Sequence, residues 1–304
     1  MVVVILDDDD VRARLDAASA VAWMAEAVDA HHRSELVSPP RVTADLDEGR
    51  LLFTTGRWRG RWYGYRSYDS LPAQPGSQVV VVHDDATGAV RAVAIGTELG
   101  RRRTGAIGGV AVEAMAPPRS SVVAVIGTGA QAYTQVWALG AVLPDLVELR
   151  VCSRDSAHRA AFVEAVRPLT GAAVRDCDSV RAAVEGADVV ILATSSPTPI
   201  LDVAWLRPTC LVATLGPKQR GRAEFGPDLA DAAALVATDS LAQIDAYDPP
   251  NVLVGTGAAS RLVSLGALRA GVVARPADGI AVFFSVGLAG TEAHLLYRVI
   301  ERLS

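Results

Sequence analysis

The segment Ser120-Ser-Val-Val-Ala-Val-Ile-Gly-Thr-Gly-Ala-Gln-Ala-Tyr-Thr-Gln135 joins an apolar run, two closely spaced glycines and the start of a helical pattern. Val122–Ile126 reads as a strand, Gly127 to Gly129 as a tight turn, and a helix follows from about Ala130. Gly127 permits the turn, Gly129 lets a pyrophosphate approach the backbone, and Ala132 keeps helix and strand close. The free N–H groups and positive dipole end of the helix then face anionic phosphates, with Thr128, Ala130 and Gln131 beside them. The chemistry this spacing supports is binding of a dinucleotide.

The next strand indicates which dinucleotide. A free ribose 2′-hydroxyl is usually met by an acidic residue at the end of the second strand, about 20 residues after the glycines. Here Leu149-Arg-Val-Cys-Ser153 is followed by Arg154. A guanidinium and a hydroxyl suit a 2′-phosphate, and Asp155 reads as the cap of the next helix. The expected cofactor is NADP(H), with NAD(H) the weaker choice.

Composition limits the rest. The chain has 304 residues, a net charge of −5 and 50% hydrophobic residues. The charge argues against general nucleic-acid binding. No apolar run is long enough to span a bilayer, and Met1–Leu6 followed by Asp7–Asp10 reads as a first strand and an acidic turn. Cys152, Cys177 and Cys210 have no metal-ligand spacing and no CxxC motif, so no metal is expected and buried thiols in a reducing cytoplasm are. Among 29 basic residues one is a lysine, Lys218. A lysine retained in so arginine-rich a chain points to a place where an ammonium is needed.

The elements that would position these residues fall into two groups. Asp16 to Glu35 reads as an amphipathic helix ended before Pro39-Pro40. Strands are expected at Leu51–Thr54, Trp62–Tyr68, Gln78–His83 and Val90–Ile95, the last two joined by the Asp84–Gly88 turn. A helix follows from Thr97 to about Ala116, and Gly105, Gly108 and Gly109 within it imply that something packs very close. Pro117-Pro118 marks a boundary. Strand–helix alternation then predicts strands at Leu146–Cys152, Ala173–Arg175, Asp188–Thr194, Cys210–Leu215 and Leu235–Thr238, with helices at Ala130–Val142, Asp155–Val166 and Ser179–Glu185. That is an α/β fold: a Rossmann doubly wound sheet plus an α+β domain. The expected division is 1–116 with 289–304, and 117–288, with a last helix at about Leu288–Leu303.

Over nearly its whole length the chain resembles the ornithine cyclodeaminase/mu-crystallin family. The segments that carry the resemblance are Pro40-Arg41, Asp85-Ala-Thr-Gly88, Arg103-Thr-Gly-Ala106, Gly127–Ala132, Ala193-Thr-Ser-Ser196, Glu224, Asp239-Ser240 and Ser285-Val-Gly-Leu-Ala289. The resemblance implies a homodimer, an N-terminal substrate and dimerisation domain completed by the C-terminal helix, and an active site in the cleft beside the Rossmann domain. It places Ala193, Thr194, Ser195, Ser285 and Gly287 at the cofactor. It also implies that Arg41, Arg66 and Arg103 hold a substrate carboxylate, Arg66 standing where the family usually has lysine. A buried carboxylate beside a nicotinamide must be neutralised, and guanidinium groups do so bidentately. Arg101 and Arg102 read as surface charge. Tyr65, Tyr68 and His83 read as core, His31-His32 as structural, and Glu224 as a partner of Lys218 or Arg222.

One position departs from the family pattern. Cyclodeaminases place an aspartate where Lys218 stands. A protonated lysine cannot be that base, but can act as a general acid or anchor an anion. With Arg220 and Arg222 nearby it would repel the distal cation of ornithine. The expected function is therefore an NADPH-dependent reductase of a carboxylate-bearing imine or ketimine, or the reverse amino-acid dehydrogenase, with Lys218 and Arg103 catalytic. The alternatives are an ornithine- or lysine-type cyclodeaminase with bound NAD, and a non-catalytic, mu-crystallin-like binder of NADP(H) and a small ligand.

Overall fold

The computed structural model describes residues 3–71 and 78–303. The chain forms two compact units, Met1–Arg103 with Gly287–Ser304, and Thr104–Val286.

The first unit opens with β1 (Val4–Leu6), α1 (Asp8–Arg14) and α2 (Ala17–His32). The acidic run expected to be a turn is instead the start of α1. Asp7 and Asp10 form a reciprocal capping box, and acids in the first turn complement the helix dipole. Then come β2 (Leu36–Val37), β3 (Val42–Asp45), β4 (Arg50–Trp58), β5 (Trp62–Asp69), β6 (Gln78–Asp84), β7 (Val90–Gly96) and α3 (Glu98–Met115). The strands form one sheet in the order β1-β7-β6-β5-β4-β2, with β3 also on β4. Asp84–Gly88 makes the expected hairpin turn: Gly88 N–H donates to Asp84 O at 2.9 Å, and Gly88 takes a positive φ of 75°. Asp8 caps α3 from a distant part of the chain, accepting from Thr97 N and Glu98 N at 2.8 and 2.9 Å.

Strand alternation assigns the two faces of this sheet. Thr54, Arg66, Val80, Ala94 and Leu6 share one cross-strand row. Thr55, Tyr65, Val81, Val93 and Ile5 share the neighbouring row on the opposite face, where Tyr65 and Ile5 are exposed. The last helix, α10, lies against the Arg66 face, since Ala293 meets Gly64 and Gly290 meets Gly56. A Cβ on Gly56 would stand 2.7 Å from the Gly290 Cα, so this contact between backbones excludes any larger residue.

The second unit continues with β8 (Val122–Ile126), α4 (Ala130–Val142), β9 (Glu148–Cys152), α5 (Ser156–Val166), β10 (Ala173–Asp176), α6 (Val180–Val184), β11 (Val189–Leu192) and β12 (Leu211–Thr214). A small ribbon, β13 (Lys218–Gln219) with β14 (Arg222–Ala223), precedes α7 (Pro227–Ala232), β15 (Ala233–Thr238), α8 (Leu241–Asp245), β16 (Leu262–Ser264), α9 (Leu265–Arg269) and β17 (Ile280–Phe284). The helix α10 (Thr291–Glu301) returns to the first unit. Eight strands form a parallel sheet in the order β10-β9-β8-β11-β12-β17-β15-β16. Its direction of winding reverses beside β8, the switch point where ligands of such sheets bind. Sequence alternation did not reveal β16 or that β17, late in the chain, fills the sheet between β12 and β15. Among the described residues no helix is long and apolar enough to cross a membrane.

The division between units falls inside α3, not at Pro117-Pro118. The later part of α3 packs on α4: a Cβ on Gly105 would lie 2.3 Å from Thr134 O, and one on Gly108 would lie 1.9 Å from Gln135 Oε1. Gly105 and Gly108, two of the three glycines expected to mark a close approach, do so. Gly105→Ala should therefore destabilise the protein by about 1–3 kcal/mol, the usual cost of overpacking, read as a lowered urea midpoint. Gly171→Ala, with open space around the added carbon, serves as the control. Equal midpoints for the two variants would refute the close helix contact.

Candidate functional site

A cavity of about 640 Å³ opens at the switch point of the parallel sheet. Its lining includes Gly127, Thr128, Gly129, Ala130 and Gln131 from the glycine turn, Ser153 and Arg154 after β9, and Ala193, Thr194 and Ser195 after β11. Ten of the twelve residues expected at the cofactor thus lie around one cavity. Ser285 and Gly287 are outside its lining: Ser285 follows β17, with its N–H on Thr214 O at 3.2 Å, and Gly287 lies 3.5 Å (ideal Cβ) from Arg103 Nη1.

The cavity suits a dinucleotide. Gly127 has φ +117°, and a Cβ there would strike Ala193 O at 2.3 Å. A Cβ on Gly129 would meet nothing within 4 Å, which leaves room for a pyrophosphate against the backbone. Gly129 is the N-cap of α4 and supplies no side-chain cap, so the helix end keeps N–H donors for an anion. Asp155 accepts from His158 N at 2.8 Å as the cap of α5, a bond that holds its carboxyl below the usual range. Arg154 is exposed at the cavity. Arg159, buried behind it, donates to Ser153 O at 2.9 Å and pairs with Asp176 and Asp178, which fixes the Ser153 backbone.

Glu224 ties the end of β11, which lines the cavity, to the end of β12. Its carboxylate accepts from Thr194 N (3.0 Å), Thr194 Oγ1 (2.8 Å) and Gly216 N (2.6 Å). Burial pushes this carboxyl up, against the pull of the Thr194 and Gly216 donors and Lys218. The contacts of Glu224 are thus to Thr194 and Gly216, and Lys218 acts on it through charge. Lys218 is buried, with Nζ donating to Leu215 O at 3.1 Å and Gly216 O at 2.6 Å. Two of its three N–H directions are therefore engaged by main-chain carbonyls, while Arg222 is exposed.

In the first unit, Arg66 from β5 and Arg103 from α3 meet the same carboxylate, that of Glu292 in the first turn of α10. Arg66 Nη1 donates to Glu292 Oε1 at 2.5 Å, and Arg103 Nη2 donates to the same oxygen. Gln78 Oε1 accepts from Arg66 Nη2 at 2.7 Å, and the Tyr68 ring lies under this guanidinium at 4.2 Å. Burial opposes the charge on Glu292, but Arg103 and then Arg66 outweigh it and hold the carboxyl at about 2. The structure therefore joins two of the three arginines expected at the substrate. The third, Arg41, is half-buried just before β3, next to the row of Thr54 and Arg66.

Glu292 was not foreseen. The signal available was a charged residue on an apolar stripe: Leu295, Leu296 and Val299 lie three, four and seven positions on, and all are buried. Other expectations need correction. Arg102 is no surface charge; it binds Glu98 Oε2 at 3.1 Å and Leu15 O at 2.9 Å. Tyr65 is exposed and His83 stacks on Tyr63 with ring centroids 4.6 Å apart, outside the core. His31 is structural, its Nδ1 lying 3.1 Å from Leu36 O.

The fold and the switch-point cavity define a protein with a Rossmann-type dinucleotide-binding fold. The chain belongs to the ornithine cyclodeaminase/mu-crystallin family, whose sequence profile it matches over residues 8–304. It is 28% identical to the ketimine reductase mu-crystallin of Rattus norvegicus over 260 residues, covering 86% of this chain and 78% of that protein. It is 33% identical to a dehydrogenase-like protein of Rhizobium meliloti (strain 1021) over 213 residues, 70% of this chain and 62% of that protein, so that match spans less than two thirds of its relative. The fold matches the Thermococcus litoralis Delta(1)-pyrroline-2-carboxylate reductase in complex with NADH and L-proline, with a TM-score of 0.89 and 22% identity over 99% of this chain and 98% of that one.

The arginine pair makes stability depend on pH. A carboxyl held at about 2 against an ordinary 4.5 adds stability that is fully present above 4.5 and is lost as the pH falls toward 2. The full contribution is roughly 3 kcal/mol. The stability advantage of wild type over Glu292→Gln, from urea titrations, should shrink steadily below about pH 4.5. An advantage that stays constant down to about pH 3 would show that the carboxylate is not held in this way.

Proposed function

We propose that this protein is an NADPH-dependent reductase of an imine or ketimine bearing a carboxylate, or catalyses the reverse amino-acid dehydrogenation. The observation that carries this reading is the buried pair of guanidinium groups, Arg66 and Arg103, on a fold with a dinucleotide cavity. Arg66 and Arg103, with Arg41, hold the substrate carboxylate through charge-assisted hydrogen bonds and so orient the C=N carbon. The nicotinamide, when bound, supplies or accepts the hydride. Lys218 provides a positive charge or a proton for the substrate nitrogen, and its charge disfavours the diamino acids that cyclodeaminases take. Ser153 and Arg154 line the cavity and favour a 2′-phosphate, while Asp155 is committed to its helix. Met1–Arg103 with Gly287–Ser304 is the substrate and dimerisation domain. The exposed apolar residues Ile5, Tyr65 and Ile95, on the face of its sheet opposite Arg66, support a homodimer. Three buried, unpaired thiols fit a cytoplasmic protein.

The test is NADPH absorbance decay with Delta(1)-pyrroline-2-carboxylate and with 2-oxo acids plus amines, alongside the mass in solution. Saturable oxidation by a dimer is expected. Arg154→Ala should raise the KM for NADPH about tenfold, the loss of one charge-assisted contact, and leave the KM for NADH nearly unchanged. Arg103→Lys should raise the KM for the imine, since an ammonium does not replace a bidentate guanidinium. Tight NADPH binding without turnover would favour a ligand-binding role. Proline formation from ornithine would favour a cyclodeaminase, and equal use of both cofactors would remove the preference for NADPH.

A further inference from the structure

We propose that Arg159 is a positioning residue for the adenosine end of the cofactor cavity, and that it holds that end in shape for NADPH and NADH alike. This deepens the reading that the cavity binds a nicotinamide dinucleotide and rests on it. In a sheet of this kind the pyrophosphate lies at the glycine turn and the adenosine ribose at the end of the second strand, here β9. The walls of that end include Ser153, Arg154 and Asp155 after β9, and Asp178, Ser179 and Val180 after β10. Arg159 and Asp176 are not part of the lining.

The register of β9 with β10 runs as far as Val151 opposite Asp176, and Cys177 N–H donates to Val151 O at 2.9 Å. Past that point Arg159, in the first turn of α5, joins the two walls. Its Nη1 donates to Ser153 O at 2.9 Å, its Nη2 to Asp178 Oδ1 at 3.0 Å, and its Nε to Asp176. Each guanidinium nitrogen thus holds a group from one strand end or the other, a fork that an ammonium does not reproduce. The walls also have local bonds of their own. Ser153 Oγ donates to Asp155 O at 3.1 Å, and Ser179 Oγ accepts from Ala182 N at 3.1 Å to cap α6. Those bonds stay within one wall, whereas Arg159 spans both. NADPH and NADH share the adenosine that these walls would enclose and differ only in the 2′-phosphate. Loss of the brace therefore weakens both, while loss of Arg154 weakens NADPH.

The experiment titrates the protein with NADPH and with NADH, following nicotinamide fluorescence, so that Kd is read without turnover. Arg159→Met should raise both Kd values by about tenfold, the cost of ordering on binding about one residue that the brace no longer holds. Loss of a positive charge would by itself also weaken an anionic cofactor, and Asp176→Ala separates the two causes. Removing that acid tightens binding if charge alone matters. If the brace matters it should loosen both cofactors by about threefold, the size of one partly exposed ion pair. The double variant Arg159→Met/Asp176→Ala should bind as weakly as Arg159→Met, because the two residues act through one contact; a charge effect would instead recover affinity. An unchanged Kd for NADH in Arg159→Met would overturn the proposal and leave Arg159 a structural residue. Tighter or unchanged binding in Asp176→Ala would overturn it as well, as would recovery in the double variant. If Arg159→Met does not fold, Asp176→Ala, whose side chain is 45% exposed, decides the matter alone. If wild type binds neither NADPH nor NADH, the dinucleotide reading of the cavity itself fails, and the proposal with it.

Discussion

A carboxylate with almost no exposure cannot stay ionised unless it is paired and hydrogen-bonded. Glu292 meets that requirement by drawing together β5, α3 and α10, three elements far apart in sequence. The requirement is mutual, because two buried guanidinium groups would repel each other without an anion between them. Much of the first unit can be understood as the means of holding this pairing. The glycines at 56 and 290 lower α10 onto the sheet, Asp8 caps α3 so that its first turns are set, and the Tyr68 ring supports Arg66. Such a cluster is weak evidence for overall stability, since its desolvation cost is large. Its value lies in holding charged groups at fixed positions with part of their charge uncancelled.

The second unit solves a similar problem with the opposite means. A parallel sheet leaves loose loops at its carboxyl edge, and a cofactor cavity needs those loops fixed. Glu224 fixes two of them by accepting three hydrogen bonds from Thr194 and Gly216, and Lys218 donates to the carbonyls of Leu215 and Gly216 beside them. Here a buried acid and a buried base hold backbone, whereas in the first unit a buried acid holds side chains. In both units the charged residue is buried beneath the groups it holds, and rigidity of this kind is what gives a site precision.

How much of this is legible in sequence depends on the range of the interaction involved. The glycine turn, the helix Ala130–Val142 and the strand Val122–Ile126 are read correctly because their signals are local: apolar runs, turn residues and caps within a few positions. The Asp84–Gly88 hairpin is read correctly for the same reason. The acidic run at Asp7–Asp10 misled because a capping box and an acidic turn have the same composition. The far half of the parallel sheet is not legible because β17 inserts between β12 and β15, a pairing over long sequence separation that no local pattern encodes. Arg66 and Arg103 are singled out by resemblance, but their common partner is not, because it arrives on a helix 226 and 189 residues later.

Lys218 shows why a substituted residue should be read through its contacts as well as its charge. At the sequence level, lysine in place of aspartate reverses the sign of the position and suggests a new acid or anchor. The folded chain engages that ammonium with Leu215 O and Gly216 O, so the residue also closes the loop that an aspartate could close only by accepting from N–H donors. Relative to the aspartate that the family resemblance implies, the lysine puts a donor where an acceptor would stand in the loop and a cation where an anion would stand. Any proton it delivers must come from a group already serving as a strut, and proton transfer would loosen the Gly216 loop as the charge is lost. Chemistry at this position is therefore coupled to the geometry of the β12 end. Under the proposed function, a charge at Lys218 that stays in place demands less of the fold than a proton that leaves, since the ammonium keeps both carbonyl contacts.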